Sequence, residues 1–113
     1  MPYIDAKVTI SLSPEQKEDM KCEFGKLIEI LNKTERYLMV GIDDNADLWF
    51  GGIKLECGAY IAVSLLGNAS PELYDKMTGG ICNMLQDKFG ISGDDVYVTY
   101  HPIRDWGWSG HNF

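Results

Sequence analysis

Apolar residues take every second place at the start of the chain: Pro2, Ile4, Ala6, Val8 and Ile10, with Tyr3, Asp5, Lys7 and Thr9 between them. A period of two sends alternate side chains to opposite faces, so the pattern predicts a strand over residues 3–10 with one buried face. The period then changes. Ser13-Pro14-Glu15 reads as a helix start, with Ser13 as the cap, Pro14 in the first helical position and an acid in the first turn. Met20, Phe24, Leu27, Ile28 and Leu31 recur at helical spacing and form that helix's buried stripe. Residues 34–36 are a short polar connection. Leu38, Val40 and Ile42 alternate within a second strand over residues 37–42. Asp43-Asp44-Asn45 is a turn, and Leu48-Trp49-Phe50 reads as a short or edge strand ended by Gly51-Gly52.

The same signals return in the second half. Residues 60–66 form a strand, and Ser70-Pro71-Glu72 repeats the helix opening. Leu73, Met77, Ile81, Met84 and Leu85 make the stripe, with Gly90 as the stop. Residues 91–95 connect to a fourth strand over residues 96–101. The tail, from Trp106 to Phe113, is aromatic and glycine-rich. A strand–helix–strand unit of this spacing is the crossover between parallel strands. Two of them predict an α/β (α+β) fold, a tandem β-α-β repeat. The expected architecture is a four-stranded mixed sheet with both helices on one face. One domain then spans residues 1–113, with pseudo-repeats over 1–55 and 56–113.

Composition narrows the function classes. The 113 residues carry a net charge of −7 and no Lys/Arg cluster, which argues against a nucleic-acid partner, since phosphate contacts need grouped cations. A small anionic substrate would need a local cation against the overall field. The cysteines, Cys22, Cys57 and Cys82, are three, with neither a C-x-x-C nor zinc-ligand spacing. They read as buried, reduced thiols, which fits a cytoplasmic protein. No signal-peptide pattern and no apolar run of ~20 residues occurs, so no membrane association is expected and any secretion would be leaderless.

The candidate chemistry lies at the start. Trimming Met1 would leave Pro2 with a free ring amine. An ordinary α-amino group has a pKa of about 7.7–8, close to the working range of a general base. The pyrrolidine ring fixes φ and so aims the lone pair. Pro2 also opens the apolar face of its strand, where desolvation disfavours the ammonium form. His101 and His111 read as solvent-facing or structural.

Several segments, taken in order, carry a family likeness: Pro2 after Met1, Lys33 after the first helix, Phe50-Gly51-Gly52, Ser64-Leu65-Leu66-Gly67, Ile91-Ser92 leading into Val96-Tyr97-Val98, and the ending Trp106-Gly107-Trp108 with Asn112-Phe113. Over nearly its whole length the chain resembles the macrophage migration inhibitory factor and D-dopachrome tautomerase family. The resemblance implies a β-α-β repeat assembled as a homotrimer. It implies keto–enol tautomerisation of phenylpyruvate-type and dopachrome-type substrates, without a cofactor. Animal members are also secreted cytokines, so a protein receptor is the alternative partner and a receptor ligand with a vestigial pocket the alternative function. By position, Pro2 would be the base, Lys33 the cation for a substrate carboxylate, and the Leu66 backbone a donor to substrate oxygens. Tyr97 would come from a neighbouring subunit, and Tyr3, Trp106, Trp108 and Phe113 would stand around the pocket wall.

Three departures from the family pattern bear on function. Thr99 stands where asparagine is common near Tyr97, and Trp106 replaces a smaller residue at the pocket mouth. Cys57-Gly58-Ala59-Tyr60 lacks the C-x-x-C of the best-known member, so a thiol–disulfide activity has no support.

Overall fold

The computed structural model describes residues 1–113. Strand β1 (Pro2–Val8) alternates buried and half-buried residues along its whole length. Helix α1 (Pro14–Leu27) opens with a reciprocal cap. The Ser13 hydroxyl accepts the Gln16 N–H at 3.1 Å, and the Gln16 side-chain oxygen accepts the Ser13 N–H at 2.8 Å. The helix buries Met20 and Phe24 and half-buries Leu27; the rest of the predicted stripe, Ile28 and Leu31, belongs to a tighter 3₁₀ turn (Ile28–Leu31) that ends at Asn32, φ 60°. Strand β2 (Met39–Asp43) follows, then a small hairpin of β3 (Trp49–Phe50) and β4 (Ile53–Lys54). Strand β5 (Ala59–Leu66) leads to helix α2 (Pro71–Phe89), capped by Ser70 and stopped by Gly90 at φ 68°. Strand β6 (Val96–Ile103) and a terminal hairpin of β7 (Gly107–Trp108) and β8 (His111–Asn112) complete the chain.

The main sheet has the order β2-β1-β5-β6. Each outer strand is parallel to its inner neighbour, and the two inner strands are antiparallel, with Pro2 opposite Leu65 and Val8 opposite Ala59. This is the mixed sheet that the alternation and the crossover spacing predict. One face meets both helices. There Ile4, Ala6, Val8, Ile61 and Val63 pack with Met20, Phe24, Met77 and Ile81 in one cluster. Fully burying such a side chain stabilises by roughly 1.5–3 kcal/mol. No polar or charged residue lies among the buried set. The other face presents Tyr3, Asp5 and Lys7 beside Tyr60, Ala62 and Ser64, all half-buried, and Tyr97, Thr99 and His101 of β6.

Several expectations need correcting. The first strand ends at Val8, because Thr9 turns aside: its N–H and hydroxyl bond to the backbone around Gly58. The second begins at Met39, since Glu35–Tyr37 form a 3₁₀ turn. Gly51-Gly52 does not simply stop a strand. Both residues have positive φ (59° and 82°), the backbone twist of a tight two-residue hairpin. Strand β6 runs on to Ile103 through Pro102, which an edge strand tolerates because it has a free side for the missing N–H. Cys22 is exposed, and Cys57 and Cys82 are only partly buried. Cys22 lies two places from both Met20 and Phe24, which at 3.6 residues per turn puts it on the solvent side of α1.

Candidate functional site

Pro2 is buried, at the first position of an inner strand. The groups behind it are tied in series. The Leu66 N–H donates to the Met1 carbonyl at 2.9 Å, and the Lys33 ammonium donates to the Leu66 carbonyl at 3.2 Å. Lys33 reaches this place because Asn32 takes the left-handed conformation after the 3₁₀ turn and redirects the chain. Burial first, and the neighbouring charge of Lys33 second, hold the Met1 amine below the usual α-amino range.

In front of Pro2 lies an open cavity of about 760 Å³. Met1, Pro2 and Tyr3 form one side. Arg36, Tyr37, Leu38 and Met39, on the approach to β2, form a second. Ser64 of β5 and Ile103, Trp106, Gly107 and Trp108 close the rest. The wall is mostly apolar and contains no acid. Its aromatic part is braced from outside. Trp108 meets Tyr37 edge-on at 6.2 Å and stacks on Phe113 at 6.3 Å, while the Phe113 N–H donates to the Trp106 carbonyl at 3.0 Å. Tyr3 crosses the adjacent strand close over Gly41, where a Cβ would lie 2.8 Å from the phenol oxygen and would push the Tyr3 ring aside.

The candidate residues therefore divide. Pro2, Tyr3, Trp106 and Trp108 share one cavity, Lys33 and Leu66 stand directly behind it, and Phe113 supports Trp108. Tyr97 and Thr99 lie elsewhere in the chain. Pro102, level with Pro2 across β5, is five strand positions from Tyr97, roughly 16 Å at 3.3 Å per residue. Tyr97 is exposed and packs on Phe50 with ring centres 5.1 Å apart, beside a second hollow lined by Trp49, Leu55 and Tyr60. The Thr99 hydroxyl is engaged by both the Tyr60 hydroxyl and His101 Nε2, each at 2.8 Å. Both histidines are exposed. Sequence reasoning missed Arg36, Tyr37, Met39, Ser64 and Ile103 as wall residues. Ser64 and Ile103 come to the site only through the sheet register, whereas the adjacent cation and aromatic at 36 and 37 were a local signal.

The sequence pattern described as Macrophage migration inhibitory factor (MIF) matches residues 1–113. The chain belongs to this family. Rat macrophage migration inhibitory factor is 26% identical over 92 residues, which cover 78% of this chain and 77% of that protein. Among solved structures, Leishmania major MIF2 superposes with a TM-score of 0.91 at 27% identity, covering all of this chain and 97% of that one. A macrophage migration inhibitory factor homologue from Prochlorococcus marinus gives 0.88 at 23% identity over 98% of both chains. Membership places the chain in the tautomerase superfamily and accounts for the mixed sheet with two helices.

Proposed function

We propose that this family member is a cofactor-independent keto–enol tautomerase of phenylpyruvate-type acids, with Pro2 as the general base after Met1 has been removed. The observation that carries this reading is the bond from the Leu66 N–H to the Met1 carbonyl. Loss of Met1 would do two things at once: it gives Pro2 a basic lone pair and leaves the Leu66 N–H without its acceptor. A base and a donor then stand one strand apart. The Lys33 ammonium, next to both, suits a substrate carboxylate. Proton removal from the carbon beside a carbonyl builds negative charge on oxygen, and donors already in place stabilise it. The apolar aromatic wall suits an aryl ring and excludes water. The direction at the Met1 amine, lowered first by burial and then by Lys33, supports the reading, since an amine at Pro2 would begin one residue further into the same neighbourhood.

Tyr97 enters only if a second copy supplies it. Its exposure, with that of Trp49, Phe50 and Ile53 on the neighbouring hairpin, is the kind of apolar surface that a partner covers. A homotrimer joined through this hairpin is therefore part of the proposal. Full activity in a species that sediments as a monomer would contradict it.

The test of the base is a comparison of two forms, verified by intact mass. The form beginning at Pro2 should convert phenylpyruvate between keto and enol, and the form retaining Met1 should be slower by about 10²–10⁴. Equal rates would exclude Pro2 as the base.

A further inference from the structure

Of the ten lysines and arginines, seven make ion pairs. The three that do not are Lys33, Arg36 and Lys76, in a chain whose net charge is −7; Arg36 lines the cavity in front of Pro2, and Lys33 stands behind Pro2, bonded to the Leu66 carbonyl. No Asp or Glu lines that cavity. Most of this molecule's cations are matched to neighbouring carboxylates, yet one without such a match stands in the cavity wall and another stands behind Pro2.

Arg36 is placed differently from Lys33. Lys33 stands behind Pro2, tied to the end of β5. Arg36 is an exposed residue of the wall, on the approach to β2, with its guanidinium carbon 5.3 Å from the centre of the Tyr37 ring. Contact with an aromatic face holds a guanidinium in position through its π surface, and leaves the in-plane N–H groups available for a carboxylate. The cavity volume, about 760 Å³, is within the range that takes a whole small ligand.

From this we infer that the cavity selects a dianion: a 2-oxo acid with a second carboxylate at its far end, the first held by Lys33 and the second by Arg36. The inference rests on the tautomerase reading for the 2-oxo acid. The two-cation selectivity itself is independent of turnover. In aryl substrates the second carboxylate would sit on the ring, para to the reacting side chain. A neutral ring would use the same wall without the second contact.

Binding and turnover separate the two ideas. Titration calorimetry with trans-cinnamate and trans-4-carboxycinnamate, neither of which is a keto acid, reads selectivity alone. The dicarboxylate should bind about tenfold more tightly than the monocarboxylate, from one further charge-assisted hydrogen bond. In Arg36→Gln that ratio should fall to near unity, and Arg36→Lys should restore part of it. Added salt should shrink the ratio in the wild type. A wild-type ratio near unity, or a ratio unchanged in Arg36→Gln, overturns the dianion site. Phenylpyruvate and 4-carboxyphenylpyruvate are then compared as substrates. Turnover of both with no preference that depends on Arg36 overturns the inference and leaves the tautomerase reading standing. No turnover of either, with the affinity ratio still dependent on Arg36, overturns the tautomerase reading and supports the dianion site.

Discussion

The two halves of the chain build the same device and use it differently. Each has an inner strand, a helix started by Ser-Pro-Glu, and a left-handed residue that turns the chain back: Asn32 in the first half, Gly90 in the second. The next residue is Lys33 in one and Ile91 in the other. Lys33 is half-buried and its ammonium reaches the end of β5, whereas Ile91 is fully buried in the core. The inner strands differ in the same sense. β5 opens on Ala59, packed in the core cluster, and β1 opens on a proline beside a cavity. What the halves share sets the architecture, and the candidate chemistry sits where they part. One turn geometry carries a core plug in one place and, in the other, the lysine proposed to meet a substrate carboxylate.

The largest expected effect tests the strand start. Pro2→Gly keeps an N-terminal amine but loses the ring, and kcat/KM for phenylpyruvate should fall by about 10²–10⁴. A variant within twofold of the wild type would remove the special role of that position. Next come the two turn residues. Ile91→Ala should lower the unfolding free energy by about 2–5 kcal/mol, measured in urea, because it leaves a cavity in packed core. Lys33→Ala, at the matching place, should change stability by no more than about 0.5 kcal/mol. Similar losses from both would mean that Lys33 is structural.

Lys33→Ala should act on the substrate instead. It should raise KM about tenfold or more for carboxylates, the scale of a lost charge-assisted hydrogen bond, and spare their esters. It should also move the rising limb of the pH–rate profile to higher pH. A neighbouring cation disfavours the ammonium form and lowers an amine pKa, so its removal lets that pKa rise. An unmoved limb would show that Lys33 does not influence the base.

The smallest effect concerns the residues that depart from the family pattern. With Thr99 brought to the cavity alongside Tyr97 by the neighbouring copy of the proposed trimer, phenylpyruvate should be preferred over 4-hydroxyphenylpyruvate, since the Thr99 hydroxyl is short and already engaged by Tyr60 and His101. Thr99→Asn with Trp106→Val should recover the hydroxylated acid about three- to tenfold, the worth of one hydrogen bond at 0.5–1.5 kcal/mol. An unchanged ratio of kcat/KM would show that selectivity is set elsewhere.

What could be read in advance follows from range along the chain. The two helices, their caps and the four main strands came from local spacing, because each signal lies within a few residues of what it controls. Both hairpins were underestimated. Gly51-Gly52 and Ser109-Gly110 were visible, but a strand of two residues offers too little alternation to recognise. Pro2 and the tryptophans were legible as candidates because their types are unusual where they stand. Ser64 and Ile103 were not, since only the register of β1, β5 and β6 brings them to Pro2. The burial of Cys22 was expected from residue type, and the angle around α1 decided otherwise.

Both ends of the described chain meet at the same cavity: Met1 lines it, and the terminal hairpin with Phe113 forms and braces its opposite wall. A purification tag or a fluorescent fusion at either end would therefore report on a perturbed mouth. Cys22 offers a better handle. It is exposed on the solvent side of α1, whereas Cys57 and Cys82 are partly covered and burial pushes the Cys82 thiol above its usual range, away from the reactive thiolate. A maleimide dye used in limiting amount should thus settle mainly on α1, leaving both ends untouched for measurements of binding.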